Sequence, residues 1–336
     1  MNILGIETSC DETAAAVVEN GRKIKSTVVA SQWSVHRSFR GVVPELASRS
    51  HVERINDILD EALRKANKPI HAVAVTTGPG LVGALLVGVV TARAWGLAKK
   101  IPVIGINHLE GHLFAGLVEH RRLKPPFLGL IASGGHTELL IFRGYGKYER
   151  IGATRDDAAG EAFDKVANRL QLPFPGGPSI DRLAQKGNPQ AISFPRSWIP
   201  GTHDFSFSGI KTAVSNFIAS PTSKLSKNRP VSIADICASF QEAMVDVLTQ
   251  KTIRAAKAYG LRSIVVGGGV AANRALRLAF EKAALQEKFR IFLPDRSFCT
   301  DNAVMIASAG YYKWKTHAHH SKNKIEVNPT LHVQNW

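Results

Sequence analysis

The sequence predicts a two-lobed α/β protein, and three features lead to this prediction. The chain has 336 residues, which corresponds to two domains at about 150 residues each. Apolar strand-like segments alternate with helical segments, a pattern typical of sheets covered by helices. A segment that begins at Ile3 has a counterpart that begins at Phe127. We therefore expect two related lobes, each with its own sheet and core.

The two related segments are ILGIETSCDETAAAVVENG and FLGLIASGGHTELLIFRGYG. Each predicts an apolar strand, a polar turn of small residues and a second apolar strand. Two unrelated hairpins are the alternative. Further strands are predicted in AVAVTTGPG, VIGIN and SIVVGGG. The identical pairs are Leu4 and Leu128, Gly5 and Gly129, Ser9 and Ser133, and Thr13 and Thr137.

The hairpin turns predict a place for phosphate. Two related lobes that face each other would form a cleft, with a turn from each lobe in it. Turns rich in backbone N–H groups suit phosphate oxygens. In the second turn, Ser133, Gly134 and Gly135 let the backbone approach a ligand because glycine has no Cβ. We expect a nucleotide-like phosphate compound in this cleft.

The bulk composition indicates a basic protein of the cytoplasm. Lysine and arginine number 43 and the acids 27, which gives a formal net charge of +16. Such a field attracts polyanions such as RNA, DNA or acidic membranes, although a generally basic proteome is an alternative. The three cysteines are far apart and fit a reducing compartment. No export signal is recognisable at the start, and the apolar stretch from Leu81 to Val90 is too short to span a bilayer. We expect no membrane association.

His108 and His112 are the candidate metal ligands. At spacing i, i+4 they share one face of a helix and could bind one ion, although two unrelated histidines are the alternative. Zinc proteases carry a glutamate directly after the first histidine, where this chain has Leu109. Glu110 would point to nearly the opposite face, so the protease base is absent. Asp301 is a plausible oxygen donor for a third ligand, or else the cap of the following helix.

Several segments could contact a nucleotide. Gly267–Gly269 follows a strand and precedes a helix, so adenosine could lie against it, but a tight packing turn explains it as well. Asn273 offers donors and an acceptor nearby. Asp164 lies in a helix rich in acidic residues. Its carboxylate could accept hydrogen bonds from ribose hydroxyls, or the helix could simply face solvent. The turn Pro175–Pro178 leads to a helix with Asp181, and it is either a simple turn or a sugar contact.

Nine segments together resemble one family. Each is modest alone, but they occur in the order expected of the bacterial tRNA adenosine threonylcarbamoyltransferases, the TsaD family, formerly called Gcp or O-sialoglycoprotein endopeptidase. The resemblance runs from about Ile3 to Ala309. The segments are GIETSCDET, GPGLVGALLVG, NHLEGH, SGGHTELL, DDAAGEAFDK, PGGPSID, FSFSGIKT, GGGVAANR and CTDN.

The resemblance implies the actin-like ATPase and sugar-kinase fold, with two related lobes around a central nucleotide cleft. It implies transfer of a threonylcarbamoyl group from threonylcarbamoyl-AMP to the exocyclic amine of the adenosine beside the anticodon, in tRNAs reading codons that begin with A. The implied cofactor is one divalent metal ion per subunit, iron or else zinc. The implied partners are tRNA, a TsaB-like paralogue and a TsaE-like ATPase.

The resemblance also assigns residues. His108, His112 and Asp301 match the metal ligands. Asp11 and Glu12, on the first hairpin, are our candidates for proton transfer or for support of the metal. The positions that match substrate-binding residues are Ile131, Ala132, Ser133, Gly134, Gly135, Asp164, Gly177, Asp181 and Asn273.

The expected organisation is a first lobe over 1–108, a second over 109–304, and a basic tail over 316–336. The helix at about 305–325 could pack back on the first lobe. The tail has histidines that could bind metal, but a solvated tail is the simpler expectation. Three rival functions stay open from the residues: a metallopeptidase, an ATP-dependent small-molecule kinase and a non-catalytic scaffold.

Overall fold

The computed structural model describes residues 1–220, 225–226, 229–317 and 325–336. The predicted α/β class is confirmed, since the described residues contain two five-stranded sheets with helices. Their contacts divide the chain into two compact units. The first unit comprises Met1–Pro125, Phe142–Tyr148 and Pro294–Trp336, and the second comprises Pro126–Ile141 and Glu149–Leu293.

The strands in chain order are β1 (Asn2–Glu7), β2 (Glu12–Glu19), β3 (Lys23–Ser31), β4 (Ala72–Gly78), β5 (Val103–Asn107), β6 (Phe127–Ala132), β7 (Thr137–Gly144), β8 (Lys147–Ala153), β9 (Leu225–Ser226), β10 (Arg229–Pro230), β11 (Ser263–Gly267) and β12 (Arg290–Phe292). The α-helices are α1 (Trp33–His36), α2 (Pro44–Ala66), α3 (Val82–Lys99), α4 (His108–Glu119), α5 (Ala159–Arg169), α6 (Gly176–Ala184), α7 (Ser208–Ala219), α8 (Ile233–Ala258), α9 (Arg274–Glu287) and α10 (Ala303–His317).

The first unit is built on a sheet of order β3-β2-β1-β4-β5. β1 pairs antiparallel with β2 and parallel with β4, which pairs parallel with β5. β1 and β4 are buried along their whole length, which explains why their sequences are mainly apolar instead of alternating. α10 packs against β1 and α4, while α2 packs against β2.

The contact-based units differ from the predicted lobes at three places. Residues 109–125, 142–148 and 294–304 fall in the first unit, although the sequence placed them in the second lobe. Residues 142–148 join the first unit through contacts with α4, where Phe142 packs on Phe114 and Tyr148 donates to Glu110. The physical reason is that α4 and α10 pack together, and that α10 crosses β1. Gly5 permits this close crossing, because a Cβ there would lie 2.2 Å from the carbonyl oxygen of Ala303.

The apolar stretch predicted to end at Val90 continues to Lys99 in α3, which among the described helices is the one long and apolar enough to cross a membrane by length and composition alone. It also packs against β4 and α2 within the first unit, as the core helix of a globular unit does. Its outward face carries several exposed apolar residues beside the exposed Arg93, however. The exposed members are Val82, Leu86, Val90 and Leu97.

The second unit is built on a sheet of order β12-β11-β6-β7-β8. β11 pairs parallel with both β6 and β12, and Gly267 at the end of β11 lies opposite Ile131 at the end of β6. Each of the two related sequence segments forms the predicted strand, turn and strand, β1–β2 in one sheet and β6–β7 in the other. The helices of this unit form a connected layer, with α6 packed against α5 and α8, and α9 against α8.

Residues 325–336 differ from the solvated tail that the sequence predicts. Ile325 and Val327 pack against the apolar core of the first unit. The backbone N–H of Asn328 donates to the carbonyl oxygen of Thr77 at 2.9 Å. The tail histidines at 319 and 320 lie outside the described residues. After Ser220, β9 and β10 pair antiparallel.

Candidate functional site

The helix that carries the histidine pair begins at a well-defined cap. Asn107 ends β5, and its side-chain Oδ1 accepts from the N–H groups of Leu109 at 2.9 Å and Glu110 at 3.3 Å. This satisfies two of the N–H groups that the first turn of a helix leaves without partners. α4 therefore starts at His108, directly after a buried strand of the sheet.

The two histidines lie together inside the first unit. His108 is 6% exposed and His112 is fully buried. Their ring centroids are 4.7 Å apart, as the predicted spacing of one helical turn requires. Buried imidazoles at this distance can both reach one cation.

Asp301 completes this cluster. Its Oδ1 lies 3.2 Å from Nε2 of His108 and 3.4 Å from Nε2 of His112. One potential ligand atom from each of the three residues lies within 4.8 Å of the other two. The alternative role of Asp301 as a helix cap is filled by its neighbour, because the N–H of Met305 donates to Oδ1 of Asn302 at 3.1 Å.

Glu7 is a buried carboxylate that the sequence analysis missed. It ends β1 and is 0% exposed. Its Oε2 lies 3.0 Å from Nδ1 of His108 and accepts from the hydroxyl of Thr76 at 2.6 Å, while Oε1 accepts from the N–H of Ser9 at 2.5 Å. A carboxylate on the far nitrogen of a histidine fixes the proton there and directs Nε2 toward a ligand. Its only sequence signal was an acid at the end of a buried strand.

The electrostatics of this cluster favour a cation at His108. Burial raises the pKa of Glu7, but the charge and hydrogen bond of His108 outweigh burial and hold it below its usual range. Burial lowers the pKa of His108, but the carboxylates of Asp301 and Glu7 raise it well above its usual value. The buried carboxylate of Glu7 and the partly buried carboxylate of Asp301 thus flank one imidazole and favour a positive charge there.

Glu110 points away from the histidines, as the helical geometry predicts. Its buried carboxylate accepts from the hydroxyl of Tyr148, and from the indole N–H of Trp336 at 2.6 Å. Burial raises the pKa of Glu110, while the charge of Lys313 and the two hydrogen bonds act in the opposite direction. Glu110 is engaged in this contact and does not take the place of a protease base.

Asp11 and Glu12 lie in the first hairpin, in the same unit as the histidine cluster, and both are buried. Burial raises the pKa of Asp11, against a hydrogen bond from Glu12 that lowers it. Burial and the charges of Asp11 and Asp301 raise the pKa of Glu12 well above its usual value. Burial thus favours the neutral, protonated form of both carboxyl groups.

The predicted substrate loop joins β6 to β7 in the second unit. Ile131 and Ala132 end β6 and are buried, whereas Gly134 and Gly135 are exposed. A Cβ at either glycine would meet nothing within 4 Å. The N–H of Ser133 already donates to the carbonyl oxygen of His136 at 2.8 Å. Of the three N–H groups that the sequence suggested for a phosphate, that of Ser133 is therefore engaged within the loop.

Asp164, Gly177 and Asp181 belong to α5 and α6 of the second unit. Asp164 Oδ1 accepts from the N–H of Gly176 at 2.7 Å, which fixes the start of α6 against α5. A Cβ at Gly177 would meet nothing within 4 Å. Asp181 Oδ2 lies 3.4 Å from the N–H of Arg274, and its Oδ1 is buried without a hydrogen-bond partner among the described residues. Oδ1 of Asp181 is therefore a hydrogen-bond acceptor on α6 that no described residue uses.

Asn273 is used by the protein itself. Its Oδ1 caps α9 by accepting from the N–H of Leu276 at 3.0 Å, and its Nδ2 donates to Gln241 at 2.7 Å. The neighbouring glycine run serves packing in part, because Gly268 has φ +89° and a Cβ there would lie 2.4 Å from the carbonyl oxygen of Ala132. Gly269 faces open space. The two roles considered for this turn thus fall on different residues. Gly268 packs on β6, whereas Gly269 is accessible to a ligand.

The predicted substrate residues gather at one edge of the second sheet. β6 and β11 are adjacent and parallel, so the loop after Ala132 and the turn after Gly267 leave the sheet at the same side. A Cβ at Gly160, in the first turn of α5, would lie 2.7 Å from the carbonyl oxygen of Ser133, so α5 packs directly on the loop. Open parallel sheets bind ligands at this carboxyl edge.

The fold belongs to the class of actin-like ATPases and sugar kinases, as predicted. Component A of (R)-2-hydroxyglutaryl-CoA dehydratase from Acidaminococcus fermentans superimposes with a TM-score of 0.53 at 15% identity, covering 93% of this chain and 98% of that chain. A ROK hexokinase from Thermus thermophilus gives 0.51 at 15% identity, covering 92% and 97%. At these identities the likeness defines the fold alone.

Sequence similarity identifies the family. Residues 23–308 match the family described as TsaD, tRNA N6-adenosine threonylcarbamoyltransferase. A protein of that name from Endomicrobium trichonymphae is 48% identical over 344 residues, covering 100% of this chain and 99% of that protein. Another from Clostridioides difficile (strain 630) is 50% identical over 321 residues, covering 94% of each. The chain belongs to the tRNA N6-adenosine threonylcarbamoyltransferase family.

Proposed function

We propose that this protein transfers a threonylcarbamoyl group to the exocyclic amine of the adenosine beside the anticodon, in tRNAs reading codons that begin with A. The donor is threonylcarbamoyl-AMP, and AMP leaves. The observation that carries this proposal is the family match over residues 23–308. The metallopeptidase and small-molecule kinase are not favoured, since relatives that span nearly the whole chain are named as tRNA transferases.

The proposed metal centre consists of His108, His112 and Asp301. Two imidazoles and one carboxylate suit iron or zinc and leave coordination positions open for a substrate. The residues fit such an ion, because three potential ligand atoms lie within 4.8 Å of one another. Bound there, a divalent ion supplies Lewis-acid polarisation of a carbonyl or anhydride oxygen. We propose one ion per subunit, with iron preferred.

The chain's own residues would prepare this centre for the ion. Glu7 holds a proton on Nδ1 of His108, which leaves Nε2 as the ligand atom. Ser9 Oγ lies 3.2 Å from the same Nδ1 and adds a second hydrogen-bonding group. Because the carboxylates of Glu7 and Asp301 already stabilise a positive charge at His108, an ion would replace a proton there.

We propose that the second unit holds the nucleotide part of the donor. The N–H groups of Gly134 and Gly135 would donate to phosphate oxygens, and the open space at both glycines supports this role. Gly177 and Asp181 would contact the sugar or base from α6. Four further residues would support these contacts from inside the second unit. Asp164 fixes the start of α6, Asn273 caps α9, and Ile131 and Ala132 end the strand before the loop.

Proton transfer is proposed for Asp11 or Glu12. The adenosine amine is a poor nucleophile because its lone pair is delocalised into the purine ring, so removal of its proton during attack assists the reaction. A buried carboxyl pair that shares a hydrogen bond can accept that proton.

The proposed partners are tRNA, a TsaB-like paralogue and a TsaE-like ATPase, in the cytoplasm and without a membrane. The net charge of +16 supports a polyanionic partner. The exposed apolar face of α3 supports a protein partner on the first unit, because Val90 and Leu97 are 60% and 83% exposed. We expect the isolated protein to be poorly active.

The decisive test is a reconstituted transfer assay with threonylcarbamoyl-AMP, tRNA and both family partners. Wild type should modify tRNA and release AMP in equal amounts. His112→Ala should lose bound metal and transfer, while His120→Ala, at the end of the same helix, serves as the matched control. Transfer by a demetallated His112→Ala protein at the wild-type rate would refute the metal role. Peptide hydrolysis or ATP-dependent phosphorylation without transfer would favour a rival function.

A further inference from the structure

The segment over residues 325–336, which we call the strap, contacts the histidine-bearing helix at two places. Its first half lies beside the loop that follows β4. The N–H of Gly80 donates to the carbonyl oxygen of Pro329 at 3.2 Å, and a Cβ at Gly78 would lie 1.9 Å from the carbonyl oxygen of Asn328. This close fit shows that the strap occupies a formed groove of the first unit.

The first contact with α4 is made through its cap. Asn107 Oδ1 caps the helix, and Nδ2 of the same side chain donates to the carbonyl oxygen of Leu331 at 3.1 Å. The strap therefore holds the orientation of the amide that starts the helix, one residue before His108.

The second contact is made at Glu110. Trp336 donates its indole N–H to Oε1 of Glu110 at 2.6 Å, and Tyr148 donates its hydroxyl to the same oxygen. The N–H of Trp336 donates to the carbonyl oxygen of Gly146 at 3.0 Å, and Asn335 Oδ1 accepts from the N–H of Tyr148 at 2.6 Å. The strap and the β7–β8 turn thus form one clamp on Glu110.

Trp336 is also held by packing. A Cβ at Gly146 would lie 2.5 Å from its ring, so the ring rests directly on the glycine backbone. Nζ of Lys313 lies 5.7 Å from the ring centroid and donates to the carbonyl oxygen of Gly105 at 3.0 Å. The indole therefore has contacts on several sides and can hold Glu110 in one position.

The position of Glu110 determines where the histidines point. At about 100° per residue, a side chain midway between His108 and His112 lies on nearly the opposite face of the helix. A buried carboxylate must keep its hydrogen-bond donors, because leaving one unsatisfied costs about 1–3 kcal/mol. Rotation of α4 would break the clamp on Glu110 while it moved both imidazoles away from Asp301.

We propose that the strap positions the metal centre, with Trp336 acting through Glu110 as a positioning residue for His108 and His112. This inference rests on the metal role proposed above. The sequence predicts that this part of the chain is solvated, and the inference assigns it a role in the geometry of the site.

The test uses the full chain and two substitutions of different severity. Trp336→Phe keeps a ring against Gly146 but has no N–H for Glu110, whereas Trp336→Ala loses both. Trp33→Phe and Trp33→Ala are the matched controls, since Trp33 is 42% exposed. Hydrogen exchange of α4 and binding of Co²⁺ to metal-free protein are measured for each protein, with circular dichroism to verify folding.

We expect Trp336→Ala to speed exchange in α4 and to weaken Co²⁺ binding by about tenfold, the scale on which groups that orient metal ligands act. Trp336→Phe should show a smaller change in the same direction, and exchange in α2 should match wild type. Unchanged exchange in α4, or faster exchange with wild-type Co²⁺ affinity, would overturn the proposal. If Trp336→Ala does not fold, Trp336→Phe, which removes only the indole N–H that Glu110 accepts, decides the outcome.

Failure of the proposed metal centre is distinguishable from failure of this inference. If the proposed metal centre is wrong, neither wild type nor the Trp33 controls will bind Co²⁺. In that case exchange in α4 still decides whether the strap holds the helix, and unchanged exchange in both Trp336 variants would overturn the positioning role.

Discussion

Replacement of Glu7 by glutamine should damage the histidine cluster without altering its shape. The wild-type carboxylate accepts from the N–H of Ser9, the hydroxyl of Thr76 and Nδ1 of His108. Glutamine offers one oxygen and one NH₂ group. If the NH₂ takes the place of Oε1, it faces the N–H of Ser9, and two donors meet. If it takes the place of Oε2, His108 must accept at Nδ1 and carry its proton on Nε2, the atom that faces Asp301.

Both orientations weaken a metal site, and their cost can be estimated. An unsatisfied buried donor costs about 1–3 kcal/mol, and the loss of a carboxylate behind a metal-binding histidine lowers affinity by about 10–100-fold. The latter corresponds to about 1.4–2.8 kcal/mol. Since Glu7 is 0% exposed, water cannot compensate for the lost acceptor. We expect Glu7→Gln to bind Co²⁺ about 10–100-fold more weakly than wild type.

The assay is competition titration of metal-free protein with Co²⁺, together with thermal unfolding without metal. Glu138→Gln is the control, because Glu138 is also a buried carboxylate but belongs to the second unit. The reasoning is refuted if Glu7→Gln binds Co²⁺ within twofold of wild type. A similar loss of affinity in Glu138→Gln would show that burial of an amide, and not the contact with His108, is responsible.

Three further predictions concern the second unit and the partner. Burial raises the pKa of Asp156, but the hydrogen bonds that it accepts from Ser206, Phe207 and Ser208 together outweigh burial and hold the pKa below its ordinary value. Its contribution to stability is therefore present above that ordinary value and is lost as the pH falls through the lowered one. Asp156→Asn should therefore lower Tm at pH 7, and the difference from wild type should shrink in acid; a constant difference contradicts this. Gly268→Ala should destabilise the protein by about 2 kcal/mol or more in urea unfolding, because φ is +89° and the new Cβ would meet the carbonyl oxygen of Ala132, whereas Gly269→Ala should be nearly neutral. Binding of tRNA should weaken with salt: the slope of log K against log salt concentration should fall by about 0.9 for each phosphate that the protein contacts. A flat dependence would show that the basic surface does not bind the tRNA phosphates.

The strands and the histidine pair could be predicted from the sequence because both depend on local patterns. Buried parallel strands give continuous apolar runs, and the i, i+4 spacing alone places two imidazoles on one helical face. The predicted fold class is confirmed by the two five-stranded sheets. The membership of the family is confirmed by the match over residues 23–308.

Contacts between distant parts of the chain could not be predicted in this way. Glu7 was missed because its role depends on a histidine that comes much later in the sequence. The engagement of Asn273 with Gln241 was equally invisible, since nothing local distinguishes a helix cap from a ligand-binding amide. The roles of the predicted substrate residues stay predictions.

Residues 325–336 illustrate a different limit. A segment without periodicity and with many polar residues is typical of a solvated tail. Here backbone groups make several of the contacts beside the side chains, as in the hydrogen bond from Gly80 to Pro329. Backbone hydrogen bonding leaves little trace in composition, so the sequence pattern could not predict this packing.

The separation of Asp301 from the histidine pair has a consequence for biosynthesis. His108 and His112 are translated before the second unit, whereas Asp301 and α10 follow it. During translation the histidines exist for some time without their carboxylate partner, and α10 is not yet available to cross β1. Because units of a chain fold in the order of their synthesis, the three-residue cluster is a late product of maturation. Tight retention of a metal ion would therefore mark a chain whose synthesis has passed Asp301.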